Sequence, residues 1–222
     1  MIGLKKFPAI VQNSMRDEVL FGLIAQDIEK KGYSIQPGAL PEALANALLY
    51  SQQTIAADKY KKAGIGRGRE FQKHESVRTD EICWITDETE SGKNWLDWSS
   101  NFQKFLNQRL FLGLSLFESH FSHYGAGDYY KRHYDAFRGQ ENRVLSVVAY
   151  LNAGWTRADG GELVLYKDDS DKDGVKVAPI LGTLVTFLSE EFPHEVVPAH
   201  RDRYSIAGWF RVNTSLLDKI EC

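Results

Sequence analysis

The sequence is poor in cysteine and has no long apolar run, and these absences exclude several classes of protein. Among its 222 residues there are two cysteines, Cys83 inside an apolar run and Cys222 at the end, which are too few for a disulfide framework or a cysteine-based zinc site. No stretch is apolar over the length that a membrane span or a secretory signal requires. We therefore expect a soluble, cytoplasmic protein without a membrane partner.

Charge and proline do not form the patterns that would indicate nucleic-acid binding or a linker. The formal net charge is -3, and lysine and arginine are scattered along the chain, which argues against nucleic acid as a partner. The six prolines occur singly, and no internal repeat or low-complexity segment is visible. With 43% hydrophobic residues, the chain can bury one core, so we expect a single domain over residues 1–222.

Apolar periodicity predicts that residues 1–113 are mainly helical. Predicted amphipathic helices cover residues 16–31, a segment that begins after Pro41, and residues 95–112. A short strand is predicted over residues 81–85. These helices are expected to support the rest of the fold.

The segment of residues 61–79 lies between the second predicted helix and that strand. It contains three glycines and many charges and shows little periodicity. We predict a long mobile loop here and call it the finger loop. Loops of this length in a compact domain often have a function.

Residues 114–213 show a different pattern of residue types. Short runs rich in Phe, Tyr, Val and Leu are separated by turn signals such as Asp159-Gly160-Gly161, which predicts seven or eight strands. This pattern favours an α+β fold in which a double-stranded β-helix, or jelly-roll barrel, carries the N-terminal helices on one face. The mouth of such a barrel is a common site for small ligands and cofactors.

Two histidines and one aspartate are the candidate metal ligands. His133 and Asp135 lie two residues apart in a predicted strand, so their side chains should point to the same face. His194 begins a later predicted strand and can supply a third ligand. Two histidines and one carboxylate leave adjacent coordination positions open, as in non-haem iron(II) oxygenases. The His-x-Asp pair alone is weak evidence, because such pairs arise by chance.

Arg203 strengthens this interpretation. It follows His194 by nine residues, with a predicted turn over residues 198–202, and a hairpin would make the two residues cross-strand neighbours. A guanidinium at that place could bind the far carboxylate of a dicarboxylic acid bidentately, while the keto-acid end chelates iron. A surface salt bridge is the alternative role for a single arginine.

Several motifs occur in order over about 90 residues of the back part. They are Tyr124-x5-Tyr130-x2-His133-x-Asp135, Tyr150-Leu151-Asn152, Gly160-Gly161-Glu162-Leu163, Pro193-His194-Glu195-Val196 and Arg203-Tyr204-x4-Trp209. Together they resemble the prolyl 4-hydroxylase branch of the iron(II)- and 2-oxoglutarate-dependent dioxygenases. Upstream, Arg78-x-Asp80-x-Ile82-x-Trp84-Ile85 is similar to the strand after the finger loop of the oxygen-sensing prolyl hydroxylases in that branch.

The resemblance implies roles for residues that bind the co-substrate. Tyr150 would donate its hydroxyl to the distal carboxylate of 2-oxoglutarate, beside Arg203, and Tyr124 would lie near the iron-chelating end. Ordinary packing inside the barrel is the alternative for both tyrosines.

The resemblance also implies residues that meet the substrate. Trp209 and Arg143 would flank the substrate entrance, and Arg78 and Asp80 would hold the finger loop. Tryptophan and arginine are also common at the rims of sites without such a role.

The activity that the resemblance implies is hydroxylation of a prolyl residue in a protein, with release of succinate and CO2. Iron(II) would be the cofactor, 2-oxoglutarate and dioxygen the co-substrates, and ascorbate would support activity. Two alternatives stay open: the same chemistry on a free amino acid or other small metabolite, and a non-catalytic jelly-roll module that holds a metal or a sugar. The finger loop favours a protein substrate, and Arg203 and Tyr150 favour an oxygenase.

Overall fold

The structure is a computed structural model that describes residues 9–63, 77–136 and 142–213. Its α-helices are Ala9–Lys31 (α1), Glu42–Thr54 (α2) and Glu90–Leu110 (α3). Its strands are Tyr33–Gln36 (β1), Lys61–Lys62 (β2), Glu81–Trp84 (β3), Leu116–Tyr124 (β4), Tyr130–His133 (β5), Arg143–Tyr150 (β6), Leu163–Leu165 (β7), Val175–Val177 (β8), Leu184–Leu188 (β9), His194–Val196 (β10) and Arg203–Arg211 (β11).

The first helix is built around one apolar stripe. Phe21, Ile24 and Ile28 recur at helical spacing and are buried against α3 and the sheet. The helix ends at Gly32, whose φ of 78° is unfavourable for other residues and whose N–H bonds the carbonyl of Ile28. It begins at Ala9, seven residues before the predicted start at residue 16.

The third helix also begins earlier than predicted. Its N-cap is Thr89, whose side-chain oxygen accepts a hydrogen bond from the N–H of Gly92, so the helix starts at Glu90 and not at Trp95. The first turn, residues 90–94, contains no large apolar residue, and apolar periodicity therefore did not reveal it. The stripe of Trp95, Trp98 and Phe102 faces the core.

The strands form two antiparallel sheets. The larger sheet has seven strands in the order β1-β9-β6-β11-β4-β3-β2, and the smaller has four in the order β5-β10-β7-β8. The helices pack on one face of the larger sheet, where apolar residues such as Leu145, Ile206 and Phe210 meet them. The alternate residues face the smaller sheet and form a second core that includes Tyr124, Tyr150 and Leu163. This arrangement is the predicted α+β layering, with the helices on one face.

Three details of the strands differ from the sequence expectations. β1 was missed in the helical half; it is four residues long and is added to the edge of the larger sheet beside β9. Lys61–Lys62 pair with β3, so the predicted finger loop begins with a strand, and residues 64–76 of that loop lie outside the described residues. Strand β3 ends at Trp84, one residue earlier than predicted.

The expected hairpin between His194 and Arg203 is wrong. Strand β10 pairs with β5 and β7 in the smaller sheet, whereas β11 pairs with β4 and β6 in the larger sheet. The turn between them therefore crosses from one sheet to the other, and the two residues are not cross-strand neighbours. The alternation of side chains predicts which face a residue uses but not which strand lies beside it.

Among the described helices, none has both the length and the apolar character that a bilayer-spanning helix needs.

Candidate active site

The smaller sheet brings the three candidate ligands together. His194 is the first residue of β10 and pairs with His133, the last residue of β5, so their rings lie 4.2 Å apart between centroids. Asp135 follows β5 and turns back toward both: its carboxylate oxygens lie 3.7 Å from His133 Nε2 and 3.6 Å from His194 Nε2. One ligand atom from each residue lies within 4.8 Å of the others, which fits a metal ion.

The route by which Asp135 reaches the site differs from the expectation. His133 and Asp135 were predicted to share a strand, but β5 ends at His133 and Asp135 lies in a bend. The bend, and not strand alternation, turns the carboxylate toward the histidines. Ser146 on β6 holds it there, because its hydroxyl donates to Asp135 Oδ2 at 2.6 Å.

Backbone carbonyls determine which nitrogen of each imidazole faces Asp135. His133 Nδ1 lies 2.8 Å from the carbonyl oxygen of Lys131, and His194 Nδ1 lies 3.0 Å from that of Phe192. A carbonyl can only accept a hydrogen bond, so in the neutral rings Nδ1 carries the proton. Nε2 then directs its lone pair toward Asp135 and the shared space, as a metal ligand requires.

The electrostatics of Asp135 and His194 favour the binding of a cation. Burial alone would raise the pKa of Asp135, but the nearby imidazoles of His194 and His133 and the hydrogen bond from Ser146 outweigh it and lower that pKa well below its usual range. Burial lowers the pKa of His194 to about 4, and His133 adds to this while Asp135 opposes it. At neutral pH the site therefore offers a carboxylate and an uncharged buried imidazole.

Arg203 is a buried cation at the first position of β11. It is 1% exposed, its Nε donates to the carbonyl of Gly161 at 2.8 Å, and its Nη1 donates to the hydroxyl of Ser205 at 3.1 Å. Within the described residues no carboxylate forms an ion pair with it. Buried guanidinium groups are normally paired with an anion, so this side chain fits a carboxylate supplied from outside the protein.

Two tyrosines flank that guanidinium. The Arg203 Cζ atom lies 4.9 Å from the ring centroid of Tyr124, its cross-strand partner, and 5.2 Å from that of Tyr150 on β6. The Tyr150 hydroxyl is buried and has no hydrogen-bond partner in the described part of the chain. Burial raises the pKa of Tyr150 to about 12, with the charge of Arg203 opposing the shift, so the phenol keeps its proton and can donate it to an anion.

The candidate metal ligands and Arg203 lie at different places along one apolar surface. Ser146, which holds Asp135, and Tyr150 are four residues apart on β6 and therefore face the same side. Phe187 of the same core contacts His194 edge-on, with ring centroids 4.7 Å apart. A dicarboxylate with a metal-chelating end is the kind of molecule that suits a chelating centre and a separate buried cation along such a surface.

Arg143 and Trp209 lie beside the metal ligands. The Arg143 Cζ atom is 3.9 Å from the Trp209 ring centroid, its Nη1 donates to the backbone carbonyl of Asp135 at 3.2 Å, and its Nη2 contacts Glu118 at 3.2 Å. Trp209 is the cross-strand partner of Ser146. The two predicted entrance residues are thus neighbours, next to the metal ligands.

Arg78 and Asp80 form a bidentate ion pair, with two N–O distances of 2.7 Å. Asp80 is 1% exposed. The Arg78 guanidinium also covers the ring of Tyr130 at 4.2 Å, and Tyr130 stacks on His133 with centroids 3.5 Å apart. The pair is therefore connected by contacts to a candidate metal ligand. The part of the finger loop that the pair was expected to hold, residues 64–76, lies outside the described residues.

Sequence reasoning did not identify the supporting residues Ser146 and Ser189. Their hydroxyls are 2.9 Å apart, and Ser146 bonds Asp135. Ser146 interrupts the apolar run of β6 at an inward position, and that polar residue in a buried strand is the signal that could have found it.

The segment with these motifs matches a known protein family. Residues 119–211 match the family model described as the 2OG-Fe(II) oxygenase superfamily. The chain is 35% identical over 88 residues to a hypoxia-inducible factor prolyl hydroxylase from Caenorhabditis elegans. The matched segment covers 39% of this chain and 12% of that protein. In a prolyl hydroxylase from Homo sapiens, 33% identical over 88 residues, the matched segment is 36% of the protein. The chain thus spans well under two thirds of these curated relatives.

Solved structures extend the similarity along the chain. A prolyl 4-hydroxylase from Pseudomonas putida is 39% identical, with a TM-score of 0.76, over 87% of this chain and 99% of that chain. A prolyl hydroxylase from Trichoplax adhaerens, in complex with a hypoxia-inducible factor peptide fragment, is 22% identical with a TM-score of 0.80 over 98% of both chains. The predicted jelly-roll class is confirmed by these neighbours, the second of which bears on the fold alone.

Proposed function

Because the chain belongs to the 2OG-Fe(II) oxygenase superfamily, in its prolyl 4-hydroxylase branch, we propose that it hydroxylates a prolyl residue in a protein substrate. The reaction consumes 2-oxoglutarate and dioxygen and releases succinate and CO2. Its catalytic domain corresponds to residues 114–213, supported by the helices of residues 1–113.

The observation that carries this proposal is the pairing of a metal-binding triad with an uncompensated buried cation. Arg203 has two of its donors occupied by Gly161 and Ser205, and the Tyr150 hydroxyl beside it is unpaired in the described residues. A non-catalytic module that holds a metal or a sugar needs no such anion site. The distal carboxylate of 2-oxoglutarate satisfies both groups at once, with Tyr124 packed against the same guanidinium.

The three ligands suit iron(II). His133 and His194 would supply imidazole nitrogens, and Asp135 would supply a carboxylate oxygen held by Ser146. With iron(II) and 2-oxoglutarate bound, this site would supply the oxidant for C–H hydroxylation. The protein positions the co-substrate through Arg203, and the apolar core around Tyr150 excludes water from the site.

The entrance residues favour a polypeptide as the substrate. Trp209 is a largely buried ring with Arg143 over one face, and Arg143 also donates to the backbone carbonyl of Asp135. A pyrrolidine ring that enters beside Asp135 can pack against this indole. Trp84, at the end of β3 near one edge of the larger sheet, is 52% exposed. Apolar surface beyond the site itself suits a chain segment better than a small metabolite.

The test is turnover by the purified protein with iron(II), ascorbate and 2-oxoglutarate in air. We expect succinate, and a 16-dalton increase located on proline in a protein target found by comparing proteomes with and without this gene. Asp135→Ala should retain its fold and lose both products. Wild-type turnover by Asp135→Ala with unchanged iron content would contradict the assignment of the ligands.

Other outcomes identify the alternatives. Hydroxylation of a free amino acid, with no modified protein, would replace the protein substrate by a small metabolite. Metal binding without any consumption of 2-oxoglutarate would favour a non-catalytic jelly-roll module. We place the reaction in the cytoplasm, where the free thiol of Cys83 is kept reduced. Ascorbate is included because it should maintain iron in the ferrous state.

A further inference from the structure

A row of side chains crosses the inner face of the larger sheet, from the metal ligands to the surface. Ser146 on β6 bonds Asp135 and has Trp209 on β11 as its cross-strand partner. The Trp209 ring contacts that of His120 on β4, with centroids 5.5 Å apart. His120 in turn has Trp84 on β3 as its cross-strand partner, with centroids 5.2 Å apart. Because Trp84 is half exposed, the row reaches solvent.

Trp209 contributes an unused hydrogen-bond donor to this row. Its indole Nε1 is buried and has no partner among the described residues. An indole N–H can donate but cannot accept, so it can be satisfied only by an acceptor. Arg143 covers the ring face and leaves the edge with this nitrogen unpaired.

His120 contributes an unused acceptor. Its Nδ1 lies 3.3 Å from the carbonyl of Phe121 and 3.1 Å from the hydroxyl of Ser122. The carbonyl can only accept, so both contacts are satisfied together when Nδ1 carries the proton and Nε2 has a free lone pair. Nε2 has no protein partner within the described residues. The side chain is 2% exposed, and burial lowers its pKa to about 4, so it is uncharged at neutral pH.

A buried donor without a protein partner, next to an acceptor that also has none among the described residues, suits a ligand that offers an acceptor and a donor together. In an extended polypeptide, the N–H and C=O of one residue point to the same side, as in a hydrogen-bonded strand pair. Proline has no N–H, so the target proline itself cannot satisfy both groups. A non-proline residue next to it can.

On this basis, and resting on the proposed function, we propose that His120 Nε2 and Trp209 Nε1 bind the main-chain N–H and C=O of one residue that flanks the target proline. The pair recognises the extended main chain and not a side chain. It therefore selects proline in an extended segment while tolerating different neighbouring residues.

The probes are synthetic peptides and their ester analogues. A library of acetylated heptapeptide amides with a central proline first identifies a hydroxylated member by its 16-dalton mass increase. That peptide is then remade with one flanking amide N–H at a time replaced by an ester oxygen. The replacement removes the N–H from which His120 Nε2 would accept a hydrogen bond. Wild type, His120→Leu, His120→Gln and His123→Gln are compared, because His123 lies on the same strand and faces the other side, where it contacts Glu81.

In wild type, one ester position should raise the KM for the peptide by about fivefold to tenfold, the scale of one lost neutral hydrogen bond. In His120→Leu the KM for the parent peptide should rise by a similar factor, and the ester should then have no further effect. His120→Gln, which keeps an acceptor, should retain part of the sensitivity, and His123→Gln should behave like wild type. Two controls are measured for each variant. Consumption of 2-oxoglutarate in the absence of peptide tests whether the co-substrate site is intact, and the melting temperature tests whether the fold is intact.

An ester penalty that is the same in His120→Leu as in wild type would overturn the inference, and so would a wild type insensitive to every flanking ester. If His120→Leu does not fold, the comparison of His120→Gln with wild type decides in the same way. If no library peptide is hydroxylated while succinate still forms from 2-oxoglutarate, the peptide substrate of the proposed function fails instead, and this inference fails with it.

Discussion

Arg203 is the residue whose surroundings most clearly require a ligand. Its Nε and Nη1 are oriented by Gly161 and Ser205, so the planar group is held in place before any anion arrives. Arg203→Lys keeps the charge but loses this planar fork. We expect the KM for 2-oxoglutarate to rise by roughly tenfold or more, on the scale of one lost charge-assisted hydrogen bond.

The matched control for this prediction is Arg201→Lys. Arg201 is two residues away, its side chain is 44% exposed, and its ion pair is with Asp159. The KM of Arg201→Lys for 2-oxoglutarate should stay at the wild-type value in steady-state assays of succinate formation. An unchanged KM in Arg203→Lys as well would move the anion anchor to another residue.

Tyr150→Phe should separate the ligand-binding role of the hydroxyl from packing. Since that hydroxyl is buried without a partner in the described residues, its removal should leave the melting temperature of the ligand-free protein unchanged or slightly higher. The affinity for 2-oxoglutarate should fall by about fivefold to tenfold, because the co-substrate loses one donor. Calorimetric melting with and without 2-oxoglutarate measures both effects. A protein that is destabilised without ligand would indicate a packing role instead.

At the scale of elements, the residues just before β3 are linked to β5 through Arg78. The guanidinium is paired with Asp80 and lies over Tyr130, which in turn stacks on His133. Despite its burial, the pairing with Asp80 raises the pKa of Arg78, so this side chain stays charged. Loss of Asp80 therefore leaves a mostly buried positive charge over Tyr130, which stacks on the candidate metal ligand His133.

Asp80→Ala should accordingly lower the free energy of unfolding by about 3 kcal/mol, the scale for removing one partner of a buried ion pair. The double variant Arg78→Met/Asp80→Leu should be much less destabilised, because no charge is left unpaired. Urea unfolding monitored by circular dichroism measures both. Wild-type stability in Asp80→Ala, combined with a loss of protein hydroxylation alone, would assign the pair to the substrate and the finger loop.

At the scale of the whole molecule, buried histidine makes stability depend on pH. The pKa of His120 is lowered by burial from 6.5 to about 4, so below pH 6.5 the unfolded chain binds a proton that the folded chain does not. The free energy of unfolding should therefore decrease as the pH falls from 6.5 toward 4. The part due to His120 should reach roughly 2 to 3 kcal/mol at pH 4.5.

Urea unfolding of the metal-free protein between pH 7 and pH 4.5 measures this loss. His120→Gln should show a correspondingly weaker pH dependence, and an identical slope in the two proteins would mean that His120 does not contribute. We propose that the chain is a single domain, and then each curve should show one cooperative transition.

The sequence by itself was sufficient to indicate the family to which this protein belongs. The identities of His133, Asp135, His194 and Arg203, and the order of their motifs, were sufficient to indicate the family, because ligand type and spacing are local properties of the chain. Apolar periodicity was sufficient to predict the three helices and the strand-rich back part. It did not predict the polar first turn of α3 or the four-residue strand β1, because neither has enough apolar periodicity to be distinguished.

The tertiary structure alone decided which residues are neighbours. A two-residue period determines the face of a strand but not its partner, since pairing depends on packing between segments far apart in the chain. Such packing places β10 and β11 in different sheets, although the spacing of His194 and Arg203 suggested a hairpin. For the same reason only the fold brings Ser146 to Asp135, and only the order β11-β4-β3 places His120 between Trp209 and Trp84.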